Sequence, residues 1–351
     1  MRVALVSART AHFVPTDAAE RLRRLAELLT ARGHEVVVLS AQWWDGDRRE
    51  FEQEGITYRA VAETPDDPLF APRVVEAVRR LNADVVQAVC QPPSHMVGAR
   101  IGALLGRTPY IVECYDPPRA HGTLSETLYR MGAKAADAVV APSRTVKTRV
   151  REFGVRAERI HVIPSGIDME SIRSIEPGEG GDIVYSRYLD HEANLETLLL
   201  ALAEFREYDW NATIVGDGPR RADYERQASD LRIDDRVHFV GEKEVAERIA
   251  LFKNAHVYVH TAEYTPFAIE LLRALASGCV ALVEYHEDSS AHELVEQEDR
   301  GFTATSAQEL TERLAYAGDL DSLSVDERFA AYDERHFLER YLDVYRGVQT
   351  D

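Results

Sequence analysis

Two stretches in the second half of this 351-residue chain carry the residue types that hold a negatively charged ligand. Gly216-Asp217-Gly218-Pro219 lies between a β-branched apolar run and a helical pattern, where a glycine turn lets backbone amides approach a phosphate. A strand-to-helix turn also needs glycine for steric reasons alone, so both readings stay open. The denser stretch is Thr265-Pro266-Phe267-Ala268-Ile269-Glu270-Leu271-Leu272-Arg273, continuing through Ala274-Leu275-Ala276-Ser277-Gly278. Proline at its start and glycine at its end frame a helix whose first amides suit a diphosphate. An ordinary capped helix is the alternative. In the first half, Arg9-Thr10-Ala11-His12 follows the opening strand without a glycine and reads as a solvated loop.

The elements that must position these residues follow from periodicity. Apolar β-branched runs alternate with longer amphipathic stretches, which predicts α/β architecture with parallel sheets. Strands are expected at 2–7, 35–39, 84–89, 110–113, 138–141 and 160–163, with helices at 17–32, 74–81, 95–105, 125–135 and 144–153. In the first of these helices Leu22, Leu25, Leu28 and Leu29 share a face, and Gly33 ends it. Residues 174–181 (Ser-Ile-Glu-Pro-Gly-Glu-Gly-Gly) are polar and glycine-rich, the best linker candidate. The alternation then restarts, with strands at 182–186, 211–215, 237–240, 257–260 and 280–283 and helices at 194–207, 220–231, 245–252 and 270–276. Two doubly wound sheets joined by a linker place a ligand crevice at the strand carboxyl ends. The aromatic spacing of Phe329, Tyr332, Phe337, Tyr341 and Tyr345 suits a closing helix packed on another domain.

Composition narrows the classes. No apolar run reaches the length of a membrane span, and the opening residues read as a strand rather than a secretory leader, so a cytoplasmic location is expected. Cys90, Cys114 and Cys279 are odd in number and widely spaced, which fits neither a disulfide framework nor a zinc site. The net charge is −19 with only four lysines, and the acids are dispersed along the chain. Nucleic acid is excluded, because phosphate binding needs basic stripes. A dispersed acidic surface poor in lysine resembles the salt-adapted proteins of halophilic archaea, in which salt screens self-repulsion.

An ordered set of segments resembles family 4 retaining glycosyltransferases of the GT-B fold. It comprises Arg32-Gly33-His34-Glu35-Val36, Ala136-Asp137-Ala138-Val139-Val140-Ala141-Pro142-Ser143, Ile163-Pro164-Ser165-Gly166-Ile167-Asp168, Gly216-Asp217-Gly218-Pro219, Val237-His238-Phe239-Val240-Gly241 and the stretch from Thr265. The resemblance implies two Rossmann-like domains facing each other across a cleft. They are an acceptor domain at 1–175, a nucleotide-sugar domain at 182–325, and a closing helix at 326–351 that returns to the first domain.

By the same resemblance, Arg187 matches the arginine that reads the donor diphosphate. The companion lysine aligns with Ala193. The family's two glutamates, eight positions apart, align with Thr265 and Arg273, and its acceptor-side histidine aligns with Tyr115, just before Asp116. Arg273 could meet a phosphate bidentately in place of the missing lysine, or simply pair with Glu270 at i,i+3 spacing. Glu293 aligns with a glutamate in the loop facing the donor, flanked by His286 and His292. Gly216, Gly241, Phe267 and Ile269 complete the expected donor contacts.

The expected function is transfer of a hexose from a nucleotide-diphosphate sugar to a glycan or lipid-linked acceptor, with retention. Arg187 and the helix-start amides would stabilise the leaving group, and the acceptor would approach near His12, Tyr115 and Asp116. No metal or resident cofactor is implied. A lipid-linked acceptor would bring peripheral membrane contact, although no basic amphipathic helix stands out. The altered lysine and glutamates support a second class, a non-catalytic protein of the same fold that binds a nucleotide sugar or partners an active transferase.

Overall fold

A computed structural model describes residues 1–119 and 123–350. Contacts divide the chain into two units, Met1–Ser165 together with the segment from Arg335, and Gly166–Glu334.

The first unit is a doubly wound sheet. Its elements run β1 (Arg2–Val6), α1 (Asp17–Ala31), β2 (Glu35–Ala41), β3 (Glu50–Gln53), β4 (Ile56–Ala62), α2 (Phe70–Leu81), β5 (Val85–Val89), α3 (Pro93–Gly106), β6 (Tyr110–Glu113), α4 (Leu124–Lys134), β7 (Ala138–Ala141), α5 (Arg144–Glu152) and β8 (Ile160–Val162). The eight strands lie in the order β3-β4-β2-β1-β5-β6-β7-β8, all parallel except the β3–β4 hairpin. β1 is central because its side chains are apolar on both faces, as a sheet covered by helices on both sides requires. α1 starts where the Thr16 hydroxyl accepts the Ala19 N–H, and ends at Gly33, whose φ of +85° suits only glycine readily.

The second unit follows with α6 (Met169–Ser174), β9 (Ile183–Ser186), α7 (Leu195–Glu204), β10 (Ala212–Val215), α8 (Arg221–Asp230), β11 (Val237–Gly241), α9 (Val245–Asn254), β12 (Val257–His260), α10 (Ile269–Ala276), β13 (Val280–Glu284), β14 (Gly301–Ala304) and α11 (Ala307–Gly318). Its six parallel strands take the order β11-β10-β9-β12-β13-β14, which reverses direction between β9 and β12. Both units are therefore Rossmann-like.

The expected linker does not separate the units, since residues 174–181 sit inside the second. The Gly178 N–H donates to the Ala250 carbonyl, Lys253 Nζ donates to the Ile175 carbonyl, and the Gly181 N–H donates to Thr213 Oγ1. A Cβ on Gly181 would lie 2.4 Å from the Asn211 carbonyl oxygen. These glycines serve close packing rather than chain flexibility.

The chain end also differs in its boundary from the expected 326–351. Residues 327–332 form a short 3-10 turn in the second unit, held by Asp326, which caps Arg328 N–H. The closing helix α12 is Glu334–Thr350, and from Arg335 it belongs to the first unit. There Phe337, Leu338, Tyr341, Leu342 and Tyr345 pack with Leu22, Leu25 and Leu29 of α1.

A buried polar network fixes that packing. Arg21 Nε donates to Glu113 Oε1 at 2.9 Å, and its two Nη atoms reach Ser165 Oγ, the Ile163 carbonyl and Tyr341 Oη. Tyr341 Oη in turn donates to Glu113 Oε2 at 2.6 Å, and Gln87 Nε2 donates to the same oxygen. Tyr345 Oη donates to Gln87 Oε1. Arg21 and Glu113 are almost wholly removed from water, a costly state that this dense hydrogen bonding offsets.

Candidate functional site

The strand reversal in the second unit brings three strand ends together. Arg187 follows β9, Gly216 follows β10 and Thr261 follows β12, the placement at which doubly wound sheets bind ligands. Backbone geometry explains why position 216 is glycine. It has φ +128°, and a Cβ there would stand 1.9 Å from the Arg187 carbonyl oxygen. Its N–H donates to the Gly241 carbonyl at 2.8 Å, so the two expected glycines meet directly. Gly216 thus sets the path of the segment carrying Arg187.

Arg187 is half-buried and points at Thr265. Its Nη1 donates to Thr265 Oγ1 at 3.1 Å, and the same hydroxyl lies 3.1 Å from His260 Nε2. His260, the last residue of β12, is buried. Burial first, then the charge of Arg187 and the His286 ring, push its pKa down to about 3. The ring is therefore neutral at ordinary pH. Either it accepts the Thr265 O–H or it donates to that oxygen from Nε2. Among the described residues, Arg187 Nε is buried and has no hydrogen-bond partner. A guanidinium with one donor spent on a hydroxyl and another left over is suited to an incoming anion.

The Thr265 segment is tied to the loop after β13. The Ser290 N–H donates to the Thr265 carbonyl and Ser290 Oγ donates to the Pro266 carbonyl. This loop carries Glu293 on a short 3-10 turn. Phe267 is buried, and α10 begins at Ile269 after Ala268, which offers no side-chain cap. The positive dipole end of the helix therefore carries no side-chain cap.

Within α10, Glu270 pairs with Arg273 through Oε1, and its Oε2 lies 3.2 Å from Arg248 Nε on α9. One carboxylate is thus shared by two guanidiniums. Ala193 is buried, and its carbonyl accepts from Tyr185 Oη and Thr261 Oγ1. The two histidines of the loop are engaged locally. His286 lies 3.5 Å from Glu284, which raises its pKa chiefly by hydrogen bonding, and His292 Nδ1 sits 2.8 Å from the Ser289 carbonyl.

In the first unit, Tyr115 and Asp116 directly follow β6 and its adjoining Cys114. Tyr115 is buried, and the Asp116 carbonyl accepts from Gln91 Nε2 at 2.8 Å and from Cys90 Sγ at 3.5 Å. His12 is stacked on Trp43 with ring centroids 3.7 Å apart and stands edge-on to Tyr58. Burial, then the charge of Arg23, lowers its pKa. The expected solvated loop is thus anchored by one aromatic stack.

Two family models match. "Glycosyltransferase Family 4" matches residues 18–171, and "Glycosyl transferases group 1" matches residues 169–333. The chain is built from the two domains of a family 4-type glycosyltransferase. Among solved structures, this family 4-type chain is similar to Anabaena HepE in complex with UDP, at 19% identity, covering 99% of this chain and 100% of that one with a TM-score of 0.80. A glycosyltransferase from Rickettsia africae matches at 15% identity with a TM-score of 0.81, covering 99% and 98%. Both show the GT-B fold. Among curated relatives, the alpha-monoglucosyldiacylglycerol synthase of Streptococcus pneumoniae is 24% identical, covering 93% of this chain and 81% of its own length. The N-acetyl-alpha-D-glucosaminyl L-malate synthase of Bacillus anthracis is 26% identical over 63% of this chain and 61% of its own.

His260 and Arg248 were not legible as site residues. A histidine ending an apolar strand and an arginine in an amphipathic helix carry no sequence signal that would single them out.

Proposed function

We propose that the chain transfers a hexose from a nucleotide-diphosphate sugar to a glycan or lipid-linked acceptor, with retention at the anomeric carbon. The observation that carries this reading is Arg187, held at the strand reversal of the second unit with a buried Nε that has no partner among the described residues. The donor diphosphate binds Arg187 and the start of α10 around Thr265, Phe267 and Ile269, with Gly216 and Gly241 shaping the approach. Arg273 and Glu293 line the same region, and Glu270 sets the orientation of Arg273. As the bond from the anomeric carbon to the leaving phosphate lengthens, negative charge grows on the phosphate oxygen, and Arg187 and the α10 amides stabilise it. The acceptor hydroxyl attacks from the face the nucleotide leaves. Tyr115 and Asp116 of the first unit orient the acceptor, and the reaction requires no metal or resident cofactor.

Support comes from the two matched family domains. It also comes from similarity to proteins whose names specify glycosyl transfer, one of them a glycolipid synthase and one solved with UDP. The acidic, lysine-poor surface fits work in high salt on the cytoplasmic side.

The test is to incubate the purified chain in high salt with a panel of nucleotide sugars, with and without glycan and lipid acceptors. The configuration of the product is then read by NMR. An axial-donor sugar delivered in the same configuration is the expected result. Donor binding with no turnover on any acceptor would instead establish the non-catalytic alternative.

A further inference from the structure

We propose that Arg248 and Arg273, held together by Glu270, bind one phosphate of the donor diphosphate while Arg187 binds the other. The assignment rests on the transferase reading above and adds a residue of α9 to the donor site. Glu270 is the second residue of α10. It meets Arg273, one turn on, through Oε1, and its Oε2 lies 3.2 Å from Arg248 Nε. Both Oε2 and Nε are buried, and neither makes a hydrogen bond among the described residues. The side chains of Arg248, Glu270 and Arg273 are only 25%, 17% and 19% exposed. Fastening α9 to α10 takes one arginine and one carboxylate. The second guanidinium adds a largely buried positive charge that nothing in the cluster balances, a costly state that a bound anion relieves.

The cluster lies beside Arg187. Tyr258 of β12 donates from its buried hydroxyl to the Ser186 carbonyl at 3.1 Å, and Arg187 is the next residue. Burial first, then the negative charge of Glu270, holds that hydroxyl well above its usual pKa, while Arg187 and Arg248 act on it in the opposite sense. Three charged groups of the two sets thus act on one oxygen at the end of β9. Arg187 is also tied to Thr265, in the turn that leads into α10 and Glu270. Charge then identifies the ligand. Arg187 bonds a neutral hydroxyl and meets no carboxylate among the described residues, so its full charge is available. Arg248, Arg273 and Glu270 together contribute a second net positive charge. A diphosphate esterified at both ends carries one negative charge on each phosphate, and planar guanidiniums match its oxygens. A single carboxylate would engage one positive centre and leave the other unbalanced.

Titration of the full chain with nucleosides and with their diphosphates tests the assignment, using uridine, guanosine, adenosine, cytidine and thymidine at one fixed salt concentration. The readout is the ratio of diphosphate to nucleoside affinity for the preferred base, in variants whose circular dichroism matches wild type. Wild type should prefer the diphosphate by roughly a hundredfold or more, and R248M should lose roughly tenfold of that preference. R248Q, which keeps a polar group beside Glu270, should lose as much. R248K keeps the charge and should stay within about threefold of wild type. R187M should remove a separate share, so that R187M/R248M loses roughly the product of the two. Replacing an arginine that only fastens α9 to α10 would weaken nucleoside and diphosphate alike and leave the ratio unchanged. A ratio unchanged in R248M and R248Q but lowered in R187M would overturn this assignment alone. A wild type that prefers no diphosphate over its nucleoside would overturn the transferase reading with it.

Discussion

Arg187 Nη1 donates to Thr265 Oγ1 at 3.1 Å, linking the end of β9 to the turn before α10 across 78 residues of sequence. A neutral hydroxyl orients the guanidinium without neutralising it, leaving its full charge for an anionic ligand. Replacing Thr265 with valine removes the common partner of Arg187 and His260 while keeping the shape. The expected cost is about 1–3 kcal/mol, because buried donors lose their acceptor. Chemical denaturation of T265V against wild type measures it, and an unchanged midpoint would show that the hydroxyl orients nothing.

His260 makes stability depend on pH in a defined direction. Its folded pKa, about 3, lies below its unfolded value, so the unfolded chain binds the extra proton between the two. The stabilising contribution is complete above the unfolded pKa and is lost as pH falls below it. At pH 5 the loss attributable to this ring is about 2 kcal/mol. H260Q, which keeps a polar partner for Thr265, should therefore lose less stability than wild type between about pH 7.5 and pH 5. Parallel slopes for the two proteins would contradict the assignment of a neutral buried ring.

The Arg21–Glu113 pair holds α12 to the first unit. R21M should destabilise by about 3–5 kcal/mol, because it leaves a buried carboxylate without its counter-charge. The double variant R21M/E113Q should cost clearly less than the sum of the two single changes, as expected for partners in one network. Equilibrium unfolding of the four proteins decides this, and strict additivity would mean that the ion pair is not the organising contact.

Much of the fold was legible because each central strand is a β-branched run flanked by an amphipathic helix. The alternation of β1, α1 and β2, and of β9, α7 and β10, is visible in residue type alone. The β3–β4 hairpin was missed because β3 is Glu-Phe-Glu-Gln, an exposed edge with no apolar alternation. Its turn, Glu54-Gly55, has both residues at positive φ, a signal that only glycine in the second position hints at. β14 and α11 were also missed, since Gly-Phe-Thr-Ala is too short to show a period. The glycine-rich 174–181 stretch read as a linker because composition cannot distinguish a flexible glycine from one pressed against a carbonyl. In the site, Arg187 and Thr265 were each visible, but their bond and the role of His260 depend on strand order. Arg21 shows the same limit most sharply, since its partners lie 92 and 320 residues away.

The central claim is that Arg187 serves the chemistry of a nucleotide-sugar donor. Its most direct test is the rate of nucleoside diphosphate release from the preferred donor, measured side by side for wild type and R187A. The account predicts measurable release by wild type and a fall of about 100-fold or more in the variant, with folding intact by circular dichroism. Equal rates in the two proteins would contradict it.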